Sequence, residues 1–125
     1  NKDVVINAIG NPDFIILNSL TADIHEGQNP RYGRRGKIPS SKNIPFHELL
    51  DNKTGKFKPI EELANMFEKN KITKDKKILN YCGGGIAASL EAFVLYQLGF
   101  EKIVIYDNSL HEWAAIDQTL PMENN

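Results

Sequence analysis

Three short apolar runs limit what this chain can become: Phe14–Leu17 (FIIL), Ile78–Tyr81 (ILNY) and Ile103–Tyr106 (IVIY). Each is rich in β-branched or aromatic residues and is apolar on consecutive rather than alternate positions, the pattern of a strand covered on both faces. Helical patterns lie between and after them. Ile60–Lys69 sets Leu63, Met66 and Phe67 on one side with charges opposite, and Ala87–Leu98 is expected to bury Leu90, Phe93, Val94 and Leu98, with Gly99 as its stop. Asn108–Trp113 fits a further short helix. Strands alternating with helices predict an α/β fold with a central, mostly parallel sheet and helices on both faces.

At 125 residues the chain fits one domain, 1–125, able to bury a core without disulfides or a structural metal. The 15 basic and 16 acidic side chains nearly cancel, so nothing in the charge balance predicts a nucleic-acid partner. No apolar run approaches the roughly 20 residues of a spanning helix, and NKDVVINAIG has no signal-peptide profile, so no membrane partner is expected. One cysteine cannot form an internal disulfide, and His25, His47 and His111 are not at metal-ligand spacing with it or with each other. A reducing, cytoplasmic setting is the expectation, and the histidines receive no role. The missing initiator Met suits a processed product or a domain of a longer chain.

Gly27–Pro45 (GQNPRYGRRGKIPSSKNIP) follows neither period: it has three prolines, three glycines, five basic residues and no acid. It reads as an extended cationic loop ending in a short strand near Asn43–Ile44, and two readings are open, a binding loop or a solvated turn region.

The single cysteine lies in YCGGGIAAS, residues 81–89, between a predicted strand and a predicted helix. Ligands of open α/β sheets collect at the carboxyl ends of strands. Glycines there allow successive backbone N–H groups to turn inward as an anion-binding nest at the positive end of a helix, a setting that favours a thiolate. The competing reading is a small buried apolar side chain. Three consecutive glycines weigh against it, because they cost backbone entropy and bring no packing. Spacing narrows the chemistry. Ile86–Ala87 follow the glycines where a nucleotide P-loop needs Lys and Ser or Thr, Ala88 stands where a cysteine phosphatase needs its arginine, and a dithiol motif would need a second cysteine.

These residues resemble the rhodanese family, sulfurtransferase domains that carry sulfur as a cysteine persulfide. Gly36–Pro45 (GKIPSSKNIP) is similar to the family's Gly-His-Ile-Pro-Gly-Ala-x-Asn-Ile-Pro signature, YCGGGIAAS to its active-site loop, and Tyr106–Trp113 (YDNSLHEW) to its Tyr-Asp-Gly-Ser-x-x-Glu-Trp signature. The likeness is closest to the carboxyl-terminal, catalytic-type domain of thiosulfate/3-mercaptopyruvate sulfurtransferases. It implies Cys82 as nucleophile and Gly83, Gly84, Gly85, Ile86 and Ala87 as an amide cradle for the outer sulfur. It also implies an anionic sulfur donor, a thiol or cyanide acceptor, and no metal or organic cofactor. A rhodanese-like binding or regulatory module without turnover is the alternative. If the chain is one half of a two-domain protein, a second rhodanese domain is a further partner.

Departures from the family pattern shape the expectations. Asn18, Ser19 and Leu20 stand where many members have Asp-x-Arg, so another cation is expected to hold the donor. Arg31 and Arg34 rank first, ahead of Arg35 and Lys37, because a similar Pro-Arg-Tyr-Gly-Arg segment recurs in related sulfurtransferases. Lys37 and Ser40 replace a signature His and Gly, which suggests a surface position under weak constraint. Residues 83–87 are closer to a mercaptopyruvate-type Cys-Gly-Ser-Gly-Val-Thr loop than to a thiosulfate-type loop with its basic residue, but lack the hydroxyls. Asp107 and Ser109 are expected to cap the helix after them, and Trp113 to pack that helix on the core.

Overall fold

The computed structural model describes residues 2–84, 86–107, 109–116 and 119–123. The elements run α1 (Lys2–Ala8), β1 (Phe14–Asn18), α2 (Ala22–His25), β2 (Lys42–Asn43), a 3-10 turn (Phe46–Leu49), α3 (Ile60–Lys69), β3 (Lys77–Tyr81), α4 (Ile86–Gln97), β4 (Ile103–Ile105) and a π-helical turn (His111–Ile116). Three of the four strands arise from the three apolar runs. The sheet order is β2-β1-β3-β4 and every pairing is parallel, with Ile15 opposite Ile78, Asn18 opposite Tyr81 and Leu79 opposite Val104. The fourth strand, β2, begins one residue before the expected position.

Alternate side chains of β1 and β3 leave opposite faces and feed two cores. Ile16, Leu79 and Tyr81 join Val5 and Ala8 of α1, Ile24 of α2, and Trp113 and Ala114 of the π-helical turn. Leu17 and Ile78 join Leu63 and Phe67 of α3, Val94 and Leu95 of α4, and Phe100. Burial on both sides is why these strands are apolar at consecutive positions, and each such side chain withdrawn from water contributes about 2 kcal/mol. No helix among the described residues is long and apolar enough to cross a membrane.

Helix α4 corrects one expectation. Its buried residues are Ala88, Glu91, Ala92, Val94 and Leu95, whereas Leu90 and Phe93 are 44% and 57% exposed and Leu98 is only partly buried. The helix is apolar nearly all round, so its period does not select a face. The two alanines decide it, because only small side chains let the helix approach the sheet closely.

The cationic loop is tied down at several points although Gln28, Pro30, Arg31 and Arg35 stay exposed. Arg35 Nη1 donates to the carbonyls of Gly27 and Gln28 at 3.3 and 3.0 Å. Lys37 also departs from the weakly constrained position expected of it: its side chain is 12% exposed, pairs with Glu123 at 3.5 Å, and its backbone bridges Glu123 in both directions. Ser40 has φ of 66°, the left-handed region that explains a glycine in the family signature. Its Oγ accepts the Gly10 N–H.

Candidate active site

Because the sheet is parallel, the carboxyl ends of all four strands share one edge. The connection leaving β1 runs to β2 on one side and the connection leaving β3 runs to β4 on the other, which makes the gap between the ends of β1 and β3 the crevice where open α/β sheets bind ligands. Cys82 follows β3 there. The ends of β1 and β3 are locked together: Ser19 N–H donates to the Tyr81 carbonyl, and the buried Asn80 donates from Nδ2 to the Leu17 carbonyl and to Ser19 Oγ.

Asn18 and Tyr81 attach the surrounding loops to this edge. Asn18, in the position of the family Asp, accepts the Leu20 N–H and donates to His25 Nδ1 at 3.0 Å, so the imidazole carries its proton on Nε2. Tyr81, fully buried, receives the Ile38 N–H on its hydroxyl and shares a hydrogen bond with Ser41, while burial pushes its own ionisation up. His25 is 7% exposed, and desolvation, with Lys37 nearby, holds its pKa down at about 4 from 6.5. The folded state therefore resists protonating His25. Its stabilising contribution is complete above about pH 6.5 and is lost as pH falls towards 4, by up to about 3 kcal/mol. Urea denaturation should show the stability advantage of the wild type over His25→Phe shrinking across that window. A pH-independent difference would contradict it.

The active loop is held from behind by the segment after β4. The Cys82 N–H donates to Ser109 Oγ at 3.1 Å, and that hydroxyl donates to the Tyr106 carbonyl at 2.6 Å. The carbonyls of Cys82 and Gly83 accept the N–H groups of Leu110 and His111, each at 2.9 Å. In a planar trans peptide the next N–H points opposite the carbonyl, so the amides of Gly83 and Gly84 face away from this turn. Ser109 is thus a loop clamp, not the helix cap expected of it. Its φ of 50° is a strained backbone held by those two bonds. Trp113 packs as expected: it is fully buried, sets its ring edge-to-face on Tyr106, and donates to the Pro121 carbonyl.

A cleft of about 300 Å³ opens beside the loop, lined by Cys82, Gly83, Gly84, Ile86 and Ala87. Its other walls are Leu20, Tyr32, Phe46 and Leu90, so no charged side chain lines it among the described residues. Cys82 is 2% exposed, which places the sulfur at the floor of the cleft rather than on the surface. Gly85, the remaining expected cradle residue, lies outside the described residues. Gly83 has a steric reason to be glycine: a Cβ there would fall 2.1 Å from Cζ and Oη of Tyr32. Gly84 has open space around it and no such need.

The two arginines expected to clamp a donor separate in the structure. Arg34 donates from Nε to the Ala114 carbonyl at 3.2 Å and from Nη1 and Nη2 to the carbonyls of Leu120 and Trp113, both at 2.6 Å. Those three bonds turn the guanidinium to the backbone and give Arg34 a structural use. Arg31 is exposed and stacks over the ring of Tyr32, which forms part of the cleft wall, 5.4 Å from its centroid, without lining the cleft itself.

Tyr32 and Glu91 escape a reading of the sequence. Tyr32 lies in the irregular loop with no spacing to mark it. Glu91 does carry a signal, as the one acid in the apolar helix IAASLEAFVLYQ.

A sequence profile of the rhodanese-like domain matches residues 12–116. The chain belongs to the rhodanese-like domain family. It is 36% identical to thiosulfate/3-mercaptopyruvate sulfurtransferase 1, mitochondrial, of Arabidopsis thaliana over 98% of the chain and 32% of that protein. It is 35% identical to 3-mercaptopyruvate sulfurtransferase of Escherichia coli K12 over 78% of the chain and 34% of that protein. The chain thus spans about a third of the length of these curated relatives. Among solved structures, the anaerobic ergothioneine biosynthesis enzyme from Chlorobium limicola superposes with a TM-score of 0.87 over 98% of the chain and 31% of that chain, at 19% identity. That likeness is one of fold, and it matches the parallel sheet with helices on both faces. The rhodanese signatures meet in space: Tyr81 ties the first to the strand leading into the loop, and Ser109 of the third clamps the loop itself.

Proposed function

We propose that this rhodanese-like domain transfers a sulfane sulfur from an anionic donor, of the thiosulfate or 3-mercaptopyruvate type, to a thiol or cyanide through a Cys82 persulfide. The observation that carries the reading is Cys82 at the floor of a neutral cleft, on a loop whose carbonyls are held away from its leading amides. With thiosulfate, the Cys82 thiolate attacks the outer sulfur, the S–S bond of the donor breaks, and sulfite leaves with the bonding pair. The acceptor's lone pair then attacks the sulfane sulfur and returns Cys82 as thiolate. The amides of residues 83–87 serve the charge on the outer sulfur, and one such donor typically contributes 10²–10³-fold in rate. No cofactor enters either step, and double-displacement kinetics follow.

Arg31, held on Tyr32 at the cleft wall, is the donor's cation in this reading. Arg31→Ala should raise KM for thiosulfate about tenfold with little change in kcat, because the contact is made equally in ground and transition states. The test is steady-state thiocyanate release from thiosulfate and cyanide, beside pyruvate release from 3-mercaptopyruvate. Turnover with neither donor by the folded, reduced protein would favour the binding-module reading. An unchanged KM in Arg31→Ala would remove Arg31 alone. Since the chain spans a third of its relatives, a second rhodanese domain is a further partner in this reading, beside the cleft-rim side chains Ile86 and Leu90, 78% and 44% exposed.

A further inference from the structure

Glu91 has no water contact, and neither of its carboxyl oxygens has a hydrogen-bond partner among the described residues. It sits on the sheet-facing side of α4, four residues after Ala87, which lines the cleft. Helical side chains lean towards the amino terminus of their helix, so the carboxyl is directed under the Cys82 loop. The groups that act on it come from each element packed there. They are Ser19 after β1, whose hydroxyl lowers its pKa though outside bonding geometry, Cys82 after β3, and Glu48 of the 3-10 turn. The last two are acids, and no lysine or arginine among the described residues acts on it.

We propose that Glu91 is a positioning residue of the sulfur-transfer site, a buried neutral acid beneath the Cys82 loop that adds no second negative charge where the sulfur reacts. This deepens the proposed function and rests on it for its purpose. Three causes push its ionisation upwards: burial first, then the charges of Cys82 and Glu48. A carboxylate this deeply buried and facing two acids would be costly, which keeps the Glu91 carboxyl protonated. Linkage makes the coupling reciprocal: a charged Cys82 raises Glu91, and an ionised Glu91 would oppose the thiolate and any anionic donor approaching it.

The deciding experiment is infrared spectroscopy of the full chain across a pH series. The carbonyl stretch of a protonated carboxyl group is expected at neutral pH, absent from Glu91→Gln, and bleaching at a lower pH in Cys82→Ser, where the thiolate charge is gone. A missing band at neutral pH, or a bleaching midpoint the same in Cys82→Ser as in the wild type, would overturn the proposal. If Glu91→Gln does not fold, the comparison of wild type with Cys82→Ser still decides it. None of these spectra requires a sulfur donor, so a domain without turnover and a Glu91 without coupling to Cys82 give different results.

Discussion

Arg34→Ala should lower the unfolding free energy by about 3 kcal/mol, with a matching loss in the urea midpoint. The half-buried guanidinium satisfies three carbonyls at once, those of Trp113, Ala114 and Leu120, and so closes the end of the π-helical turn against the chain that follows. Hydrogen bonds from a charged donor contribute about 1.5–3 kcal/mol each, but the three share one cation and partial exposure discounts them. A cation at the carboxyl end of a helical segment adds a favourable dipole term. Arg34→Lys should recover less than half of the loss, since one ammonium cannot fork to three acceptors. Activity in Arg34→Ala should decline with the folded fraction, because Leu110 just before that turn and His111 at its start carry the N–H groups that hold the loop carbonyls. A variant of native stability with a raised KM would instead assign Arg34 to the donor.

The fold was readable where one physical effect acted alone. Strands covered on both faces leave consecutive apolar residues, so β1, β3 and β4 stood out as FIIL, ILNY and IVIY. In α3 the charges opposite Leu63 and Phe67 fixed the buried face, and both side chains are buried. Helix α4 was readable as a helix but not in its orientation, because apolarity on every side removes the period. Small volume at Ala88 and Ala92 chose the face, and residue type alone does not announce that. Helix α1 gave no signal: it is seven residues long, and only Val5 and Ala8 are buried.

The site divides in the same way. Cys82 was legible because three glycines have no packing reason to follow a buried strand. The structure supplies the reason at one of them, where Tyr32 fills the space of a Gly83 side chain. Tyr32 itself was not legible, since an irregular loop has no period to say which side chain turns inward. Lys37 and Arg34 are hard to place for a related cause. A basic residue in a loop can serve a substrate, a carboxylate or a backbone carbonyl, and only three-dimensional proximity tells these apart. The absent Asp-x-Arg motif also has a structural counterpart, because Asn18 brackets His25 and the Leu20 amide. That bracket is neutral, which leaves the cleft walls uncharged.

Cys82→Ser should abolish sulfur loading entirely, the largest effect expected of any single change, because no other thiol exists in the chain to take its place. A serine hydroxyl keeps nearly the same volume in the loop, so the substitution separates chemistry from packing. The measurement is intact mass after incubation with thiosulfate or with 3-mercaptopyruvate, followed by cyanide. The wild-type chain should gain the mass of one sulfur atom with at least one donor and lose it to cyanide as thiocyanate, while Cys82→Ser gains nothing. A folded, reduced wild-type protein that takes up no sulfur from either donor, or a Cys82→Ser protein that still does, would contradict the account.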